Sequence, residues 1–162
     1  MARTPVVIAV IAFAGVAGAA AYIVPDLLDG YDDHVSLERC TVTAGEASFN
    51  LTAEQADNAA VIAAVGRSYG FDAHGVTVAI ATAIQESSLR NIDYGDRDSV
   101  GLFQQRPSQG WGTVEEILDR HYSASRFYEG LAAVDGWQDM RVTEAAQAVQ
   151  RSGFPEAYVD HE

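Results

Sequence analysis

A glutamate stands at the end of the most apolar helix that the sequence predicts. Glu86 falls in the last turn of this helix, which the pattern places over residues 73–89, after a capping aspartate at Asp72. Burial and the negative end of a helix dipole both disfavour a charged carboxylate, so both raise the pKa of such a group. A carboxylic acid that keeps its proton near neutral pH can act as the general acid in glycosidic cleavage. The alternative interpretation is a solvent-exposed glutamate at a fraying helix end.

The residues around and after Glu86 form three short motifs in a fixed order. Glu86-Ser87 is followed by Gly-Asp-Arg at 95–97 and by Gly-Leu-Phe-Gln at 101–104. This succession resembles the lysozyme-like superfamily, in particular the lytic transglycosylases and goose-type lysozymes, with phenylalanine replacing the family's methionine. The resemblance covers about residues 52–158, and its specific part is residues 85–112. It implies a lysozyme-like domain that cleaves the peptidoglycan glycan strand at the β-1,4 bond after N-acetylmuramic acid, with no cofactor and no metal.

The resemblance also implies roles for individual residues. Glu86 would be the general acid, Gly101 would let the backbone approach the sugar closely, and Gln104 would offer its amide to the substrate. The candidate substrate-binding residues are Ser87, Ser99, Gly101, Gln104, Gln105, Trp111, Gln147 and Gln150. Two alternatives stay open: Ser87 makes a helix-end hydrogen bond, and Trp111 is a core anchor rather than a ring that stacks on a sugar.

A second carboxylate would decide the mechanism. An inverting hydrolase needs a base roughly 6.5–9.5 Å from the acid, and Asp96 and Asp98 are the candidates. A lytic transglycosylase needs only Glu86, because the substrate's own 6-hydroxyl closes to a 1,6-anhydro product. The chain departs from both subfamilies: residues 105–107 replace an expected aspartate, and residues 146–150 replace a Tyr-Asn-Ala-Gly stretch. Both aspartates would otherwise cap their loop, pairing with the neighbouring arginines.

The elements that must position these residues are predominantly helical. Thr52 and Gln55 form a capping-box pattern at the start of a helix that ends near Gly70. The helix over residues 73–89 is apolar all round, which predicts burial on every side. Further helices are predicted over residues 113–120, 123–134 and from a capping Thr143 to about residue 151, and a small hairpin over residues 39–51. The fold class is therefore all-α, with residues 52–162 as the working domain.

An uncharged run at residues 6–24 is long enough to cross a bilayer. A preceding arginine and following aspartates orient the remainder outside the cytoplasm. We expect residues 1–24 to be a signal anchor and residues 25–51 an acidic stalk. The alternatives are a cleaved signal peptide, which would release the domain, and a buried soluble helix.

The composition excludes several function classes. The formal net charge is −13 and all ten basic residues are arginine, so a nucleic-acid surface is not expected. A single cysteine excludes an intrachain disulfide framework, and the histidines show no metal spacing. The absence of lysine beside much Ala, Gly, Arg and Asp indicates a GC-rich bacterial genome, and the layout resembles an actinobacterial membrane-anchored protein. Two rival functions remain: a non-catalytic peptidoglycan-binding module on the same fold, and an envelope protein whose acidic surface contacts a basic partner.

Overall fold

A small hairpin precedes a group of helices in this chain. The computed structural model describes residues 40–44 and 47–151. The elements are β1 (Cys40–Ala44), β2 (Ala47–Leu51), α1 (Ala53–Ser68), α2 (Ala73–Ser87), α3 (Val114–Leu118), α4 (Arg120–Ala132) and α5 (Val142–Gln150). The two strands pair antiparallel, with Cys40 opposite Leu51. The mainly helical fold and the small hairpin predicted from the sequence are confirmed.

The helix starts follow local capping chemistry. The Thr52 side chain accepts the Gln55 N–H and the Gln55 side chain accepts the Thr52 N–H, as the capping box predicts. Asp72 accepts the Gly75 N–H at 3.0 Å and caps α2. The predicted Thr143 cap of α5 is wrong, because Thr143 is buried within the helix. The helix instead begins at Val142, two residues earlier than a cap at Thr143 implies, and the Glu144 carboxylate accepts the backbone N–H of Arg141.

Helix α2 contacts α1, α4 and α5 and forms the centre of the core. Its fully buried residues include Val78, Ala79 and Ala83. The expectation of burial on every side is wrong, since Thr77 and Gln85 are exposed. The neighbouring helices cover only part of the circumference of α2.

Helices α1 and α4 pack against each other around the buried side chain of Tyr128. Tyr128 is fully buried, its hydroxyl donates to the Ile62 carbonyl at 3.1 Å, and burial raises the pKa of the phenol well above its ordinary value. A methyl group on Gly66 would overlap the Tyr128 ring, so glycine lets α1 approach α4 closely.

The predicted membrane anchor and most of the acidic stalk, residues 1–39, lie outside the described residues. In residues 40–44 and 47–151, no helix is long and apolar enough to cross a bilayer. Cys40 begins β1 and is exposed, with a free thiol.

Candidate active site

Glu86 lies half-buried in the last turn of α2. The helix ends at Ser87, and the next two residues, Ser88 and Leu89, turn away with left-handed φ values of 54° and 57°. This conformation is uncommon for residues other than glycine. The backbone hydrogen bonds from the Ser88 N–H to Ile84 and from the Leu89 N–H to Ala83 close the helix end.

Side chains of α1 hold this turn in place. Gln55 donates from Nε2 to the Ser88 carbonyl at 2.9 Å, and Asn58 donates from Nδ2 to the Leu89 carbonyl at 2.7 Å. The Oδ1 atom of buried Asn58 accepts from Arg120 of α4 at 2.8 Å. The turn that follows Glu86 is therefore fastened to two other helices.

Ser87 connects α2 to the loop that follows. Its side chain is buried, and its hydroxyl lies 3.0 Å from the Ala83 carbonyl and 2.8 Å from the Leu102 carbonyl. Ser87 thus makes the helix-end hydrogen bond of the alternative interpretation and also fixes the loop beside Glu86. The structure gives it a positioning role, with no exposed surface for a substrate contact.

The loop over residues 100–105 is a tight turn closed by reciprocal backbone hydrogen bonds of 3.0 Å between Val100 and Gln105. Gly101 has a φ of +79°, and a methyl group there would lie 2.9 Å from the Ile117 carbonyl. Its N–H donates to the Ile92 carbonyl at 2.7 Å. Close packing on α3 is sufficient to explain this glycine, and the approach of a sugar to its backbone stays a prediction.

Gln104 and Gly95 fit against each other across the loop. Gln104 has a φ of +46°, and its Nε2 lies 3.2 Å from the Gly101 carbonyl and 3.3 Å from the Tyr94 carbonyl. A methyl group on Gly95 would overlap the Gln104 amide. The glycine of the Gly-Asp-Arg motif therefore makes room for the glutamine of the next motif.

Six of the candidate residues line one polar cleft of about 310 Å³, the Glu86 cleft. They are Glu86, Asp96, Ser99, Gln104, Trp111 and Gln150. The other residues of the lining are Arg97, Phe103, Arg106, Gln109 and Arg151. The sequence patterns do not identify Gln109 or Arg151 as ligand-binding residues. For Arg151, its position directly after the candidate Gln150 at the end of α5 could have indicated that it lies at the cleft.

The two aspartates have different surroundings. Asp96 is exposed and lies 3.8 Å from the Arg97 Nε. Asp98 accepts the Ser108 N–H at 2.8 Å and the Arg106 Nε–H at 2.7 Å. Hydrogen bonds from Ser108, together with the Arg106 guanidinium, hold the pKa of Asp98 well below its usual range.

Asp98 therefore fastens its loop, as the capping alternative predicts. Because Ser108 and Arg106 already occupy both of its oxygens, Asp98 is a weaker candidate for the catalytic base than the exposed Asp96. Asp98 also does not contribute to the lining of the Glu86 cleft.

Two candidate glutamines lie elsewhere. Gln105 is fully buried and donates from Nε2 to the Ser123 carbonyl at 3.0 Å, so it is a core residue rather than a substrate contact. Gln147 is half-buried on α5, its Oε1 atom is buried, and it does not line the Glu86 cleft.

Trp111 and Gln150 form one wall of the cleft. Gln150 donates from Nε2 to the Phe103 carbonyl at 2.8 Å, which joins α5 to the loop over residues 100–105. Trp111 is half-buried, and its carbonyl accepts from the Tyr122 hydroxyl at 3.2 Å. The backbone of Trp111 is thus anchored while part of its ring is available to a ligand.

No model of a known protein family matches this chain, and no curated protein matches it either.

The arrangement suits proton transfer to a polar ligand. Glu86 can donate a proton, while Ser99, Gln104 and Gln109 offer hydrogen bonds around it. Among the described residues, no group of three or more His, Cys, Asp or Glu side chains could hold a metal ion.

Proposed function

We propose that this protein cleaves the peptidoglycan glycan strand at the β-1,4 bond after N-acetylmuramic acid, with Glu86 as the general acid. The observation that carries the proposal is the Glu86 cleft, in which Glu86 shares one polar cavity with Gln104 of the third motif and with Trp111. The resemblance of residues 85–112 to lysozyme-like enzymes supplies the substrate class.

The chemistry follows from the cleft lining. Glu86 protonates the glycosidic oxygen as the bond from that oxygen to C1 breaks, so the leaving sugar departs as an alcohol. The electron-poor C1 is then attacked by water or by the substrate's own 6-hydroxyl, and in either case the attacking oxygen loses a proton. Asp96 is the second carboxylate of the lining and the base that a hydrolytic route would use.

The place of action belongs to the same proposal. The apolar run at residues 6–24 would anchor the chain in the cell membrane, with the catalytic domain on the extracytoplasmic side. Peptidoglycan lies on that side of the membrane, within reach of a tethered domain.

Replacing Glu86 by glutamine tests the catalytic assignment. We expect Glu86→Gln to lose at least about 10²-fold in activity with its melting temperature retained, because the amide cannot donate the acid proton. The full chain, purified in a nonionic detergent, is incubated with peptidoglycan, and the products are identified by mass spectrometry. Glu115→Gln, an exposed position on α3 outside the cleft lining, is the matched control and should keep full activity.

The products separate the mechanisms. 1,6-Anhydro ends would establish a lytic transglycosylase, whereas reducing ends would establish a hydrolase, for which Asp96 is the candidate base. Equal turnover by Glu86→Gln would overturn the catalytic assignment. Strand binding without any products, from a folded wild type, would favour the non-catalytic module.

A further inference from the structure

A second cavity adjoins the Glu86 cleft. This cavity, the Trp111 basin, has a volume of about 730 Å³ and lies between the Trp111 turn and helices α4 and α5. It shares four lining residues with the Glu86 cleft: Gln109, Trp111, Gln150 and Arg151. We treat the two cavities, which share these residues, as one groove.

The groove is cationic within an acidic chain. Four arginines line it, namely Arg97, Arg106, Arg126 and Arg151. Its acidic residues are Glu86, Asp96 and Glu129. The whole chain has 10 basic and 23 acidic residues, so the groove holds a large share of the positive charge and a small share of the negative charge. The concentration of guanidinium groups indicates an anionic ligand.

Three of the four guanidinium groups are already paired. Arg97 lies 3.8 Å from Asp96, Arg106 lies 2.7 Å from Asp98, and Arg126 pairs with Glu129 on the same helix. For Arg151, no carboxylate partner is found in residues 40–44 and 47–151. Within the part of the chain that the structure describes, Arg151 is therefore the groove arginine without a carboxylate partner.

Arg151 stands at the junction of the two cavities. It caps α5 with a left-handed φ of 51°, and its N–H donates to the Gln147 carbonyl at 2.8 Å. Arg151 is a lining residue of both cavities. On the far wall of the Trp111 basin, the Nε of Arg126 is buried and has no hydrogen-bond partner among the described residues. Both guanidinium groups thus offer donors around the same basin.

We propose that the Trp111 basin binds a carboxylate-bearing peptide substituent of the glycan strand, with Arg151 as its partner. This inference takes its substrate class from the proposed function. A neutral sugar ring does not require a guanidinium, whereas a carboxylate matches its planar pair of donors. A substituent branching from a strand seated at Glu86 would enter the neighbouring basin past Trp111.

The test compares two soluble fragments, both free of phosphate: a disaccharide that carries the peptide, and the same disaccharide with its lactyl carboxyl capped as a neutral amide in place of the peptide. Their binding to the full chain in detergent is measured by calorimetry. We expect the wild type to prefer the peptide-bearing fragment, and Arg151→Gln to reduce that preference about tenfold, as for a charge-assisted hydrogen bond. The matched control is Arg67→Gln, which should retain the preference. Arg67 is exposed in the last turn of α1 and lies outside the groove lining.

A conservative variant separates charge from folding. Arg151→Lys keeps a positive charge and should retain part of the preference, with the melting temperature of each variant confirming the fold. Equal binding of the two fragments by the wild type, binding of neither, or an equal loss for both fragments in Arg151→Gln would overturn the inference.

The binding readout is independent of catalysis. A wild type that prefers the peptide-bearing fragment but releases no products would leave the inference standing and refute the proposed function. A wild type that cleaves strands without any preference would refute the inference alone.

Discussion

Two neighbouring glutamines of the loop over residues 100–105, Gln104 and Gln105, have different structural roles. They are adjacent in sequence, yet Gln104 lines the Glu86 cleft and Gln105 is fully buried against α4. The left-handed conformation of Gln104 sets the direction in which each side chain leaves the turn. Residue type alone favours both as substrate contacts, and only the backbone geometry distinguishes them.

Asp98 accepts hydrogen bonds from Ser108 and Arg106, and this pair of contacts, the Asp98 clasp, predicts a pH-dependent stability. The pKa of Asp98 is lowered in the folded chain, so the clasp stabilises the fold above the ordinary aspartate pKa of about 4 and loses that effect as the pH falls below it. We expect Asp98→Asn to melt below the wild type at pH 7, with the difference shrinking from pH 4 to pH 2.5. Thermal unfolding monitored by circular dichroism measures both melting temperatures.

Asp96→Asn is the matched control for this prediction. Asp96 is exposed and lies 3.8 Å from the Arg97 Nε, so its replacement should leave the melting temperature unchanged. Identical melting profiles for the two variants would show that the clasp at Asp98 does not stabilise the loop.

At the scale of elements, the end of α2 depends on α1. Two consecutive left-handed residues follow the last turn of α2. Gln55 and Asn58 donate the hydrogen bonds that hold the carbonyls of these two residues. Arg120 in turn holds Asn58, so the placement of Glu86 depends on three helices.

Asn58 is the residue through which this dependence can be measured. We expect Asn58→Ala to lower the free energy of unfolding by about 1–3 kcal/mol, because the buried Leu89 carbonyl loses its partner. We also expect kcat on peptidoglycan to fall, since the turn after Glu86 is released. Denaturant unfolding and initial-rate assays measure the two effects.

Asn50→Ala provides the comparison for Asn58→Ala. Asn50 is exposed on β2, where its side chain accepts from Thr41, and its loss should cost less than about 0.5 kcal/mol. An Asn58→Ala protein with wild-type stability and kcat would show that α1 does not position the site.

The sequence predicts the elements of this fold better than the geometry between them. Capping patterns at Thr52 and Asp72 located two helix starts because they act within three residues of chain. The motif order around Glu86 placed the loop near the acid. The clasp between Asp98 and Arg106, the packing of Gly101 on α3 and the burial of Gln105 depend on tertiary contacts that no local pattern records. The same limit explains Thr143, whose capping preference is overridden by burial.

For the whole molecule, the main feature is the contrast between the acidic chain and its groove. The net charge of −13 repels an anionic strand at a distance, while Arg151 attracts a carboxylate at close range. Salt weakens exposed, long-range interactions most, because the screening length falls from about 30 Å at 0.01 M to about 8 Å at 0.15 M.

This contrast predicts an unusual salt response. We expect the KM for peptide-bearing strands to fall as ionic strength rises from about 0.01 to 0.15 M, since long-range repulsion is screened first. Steady-state rates on soluble strands at each salt concentration provide the measurement. Peptide-free strands whose lactyl carboxyls are capped as neutral amides are the uncharged control and should show a flat response. A rising KM for the peptide-bearing strands would indicate that local attraction to the groove dominates.

The lining of the groove also contains only one kind of cation. The described residues of both cavities include no histidine, cysteine, tyrosine or lysine, so every positive charge among them is a guanidinium. A guanidinium presents its donors in a rigid plane that matches a carboxylate, whereas an ammonium is a compact point charge. The groove is therefore suited to distinguish planar anions by their shape as well as by their charge.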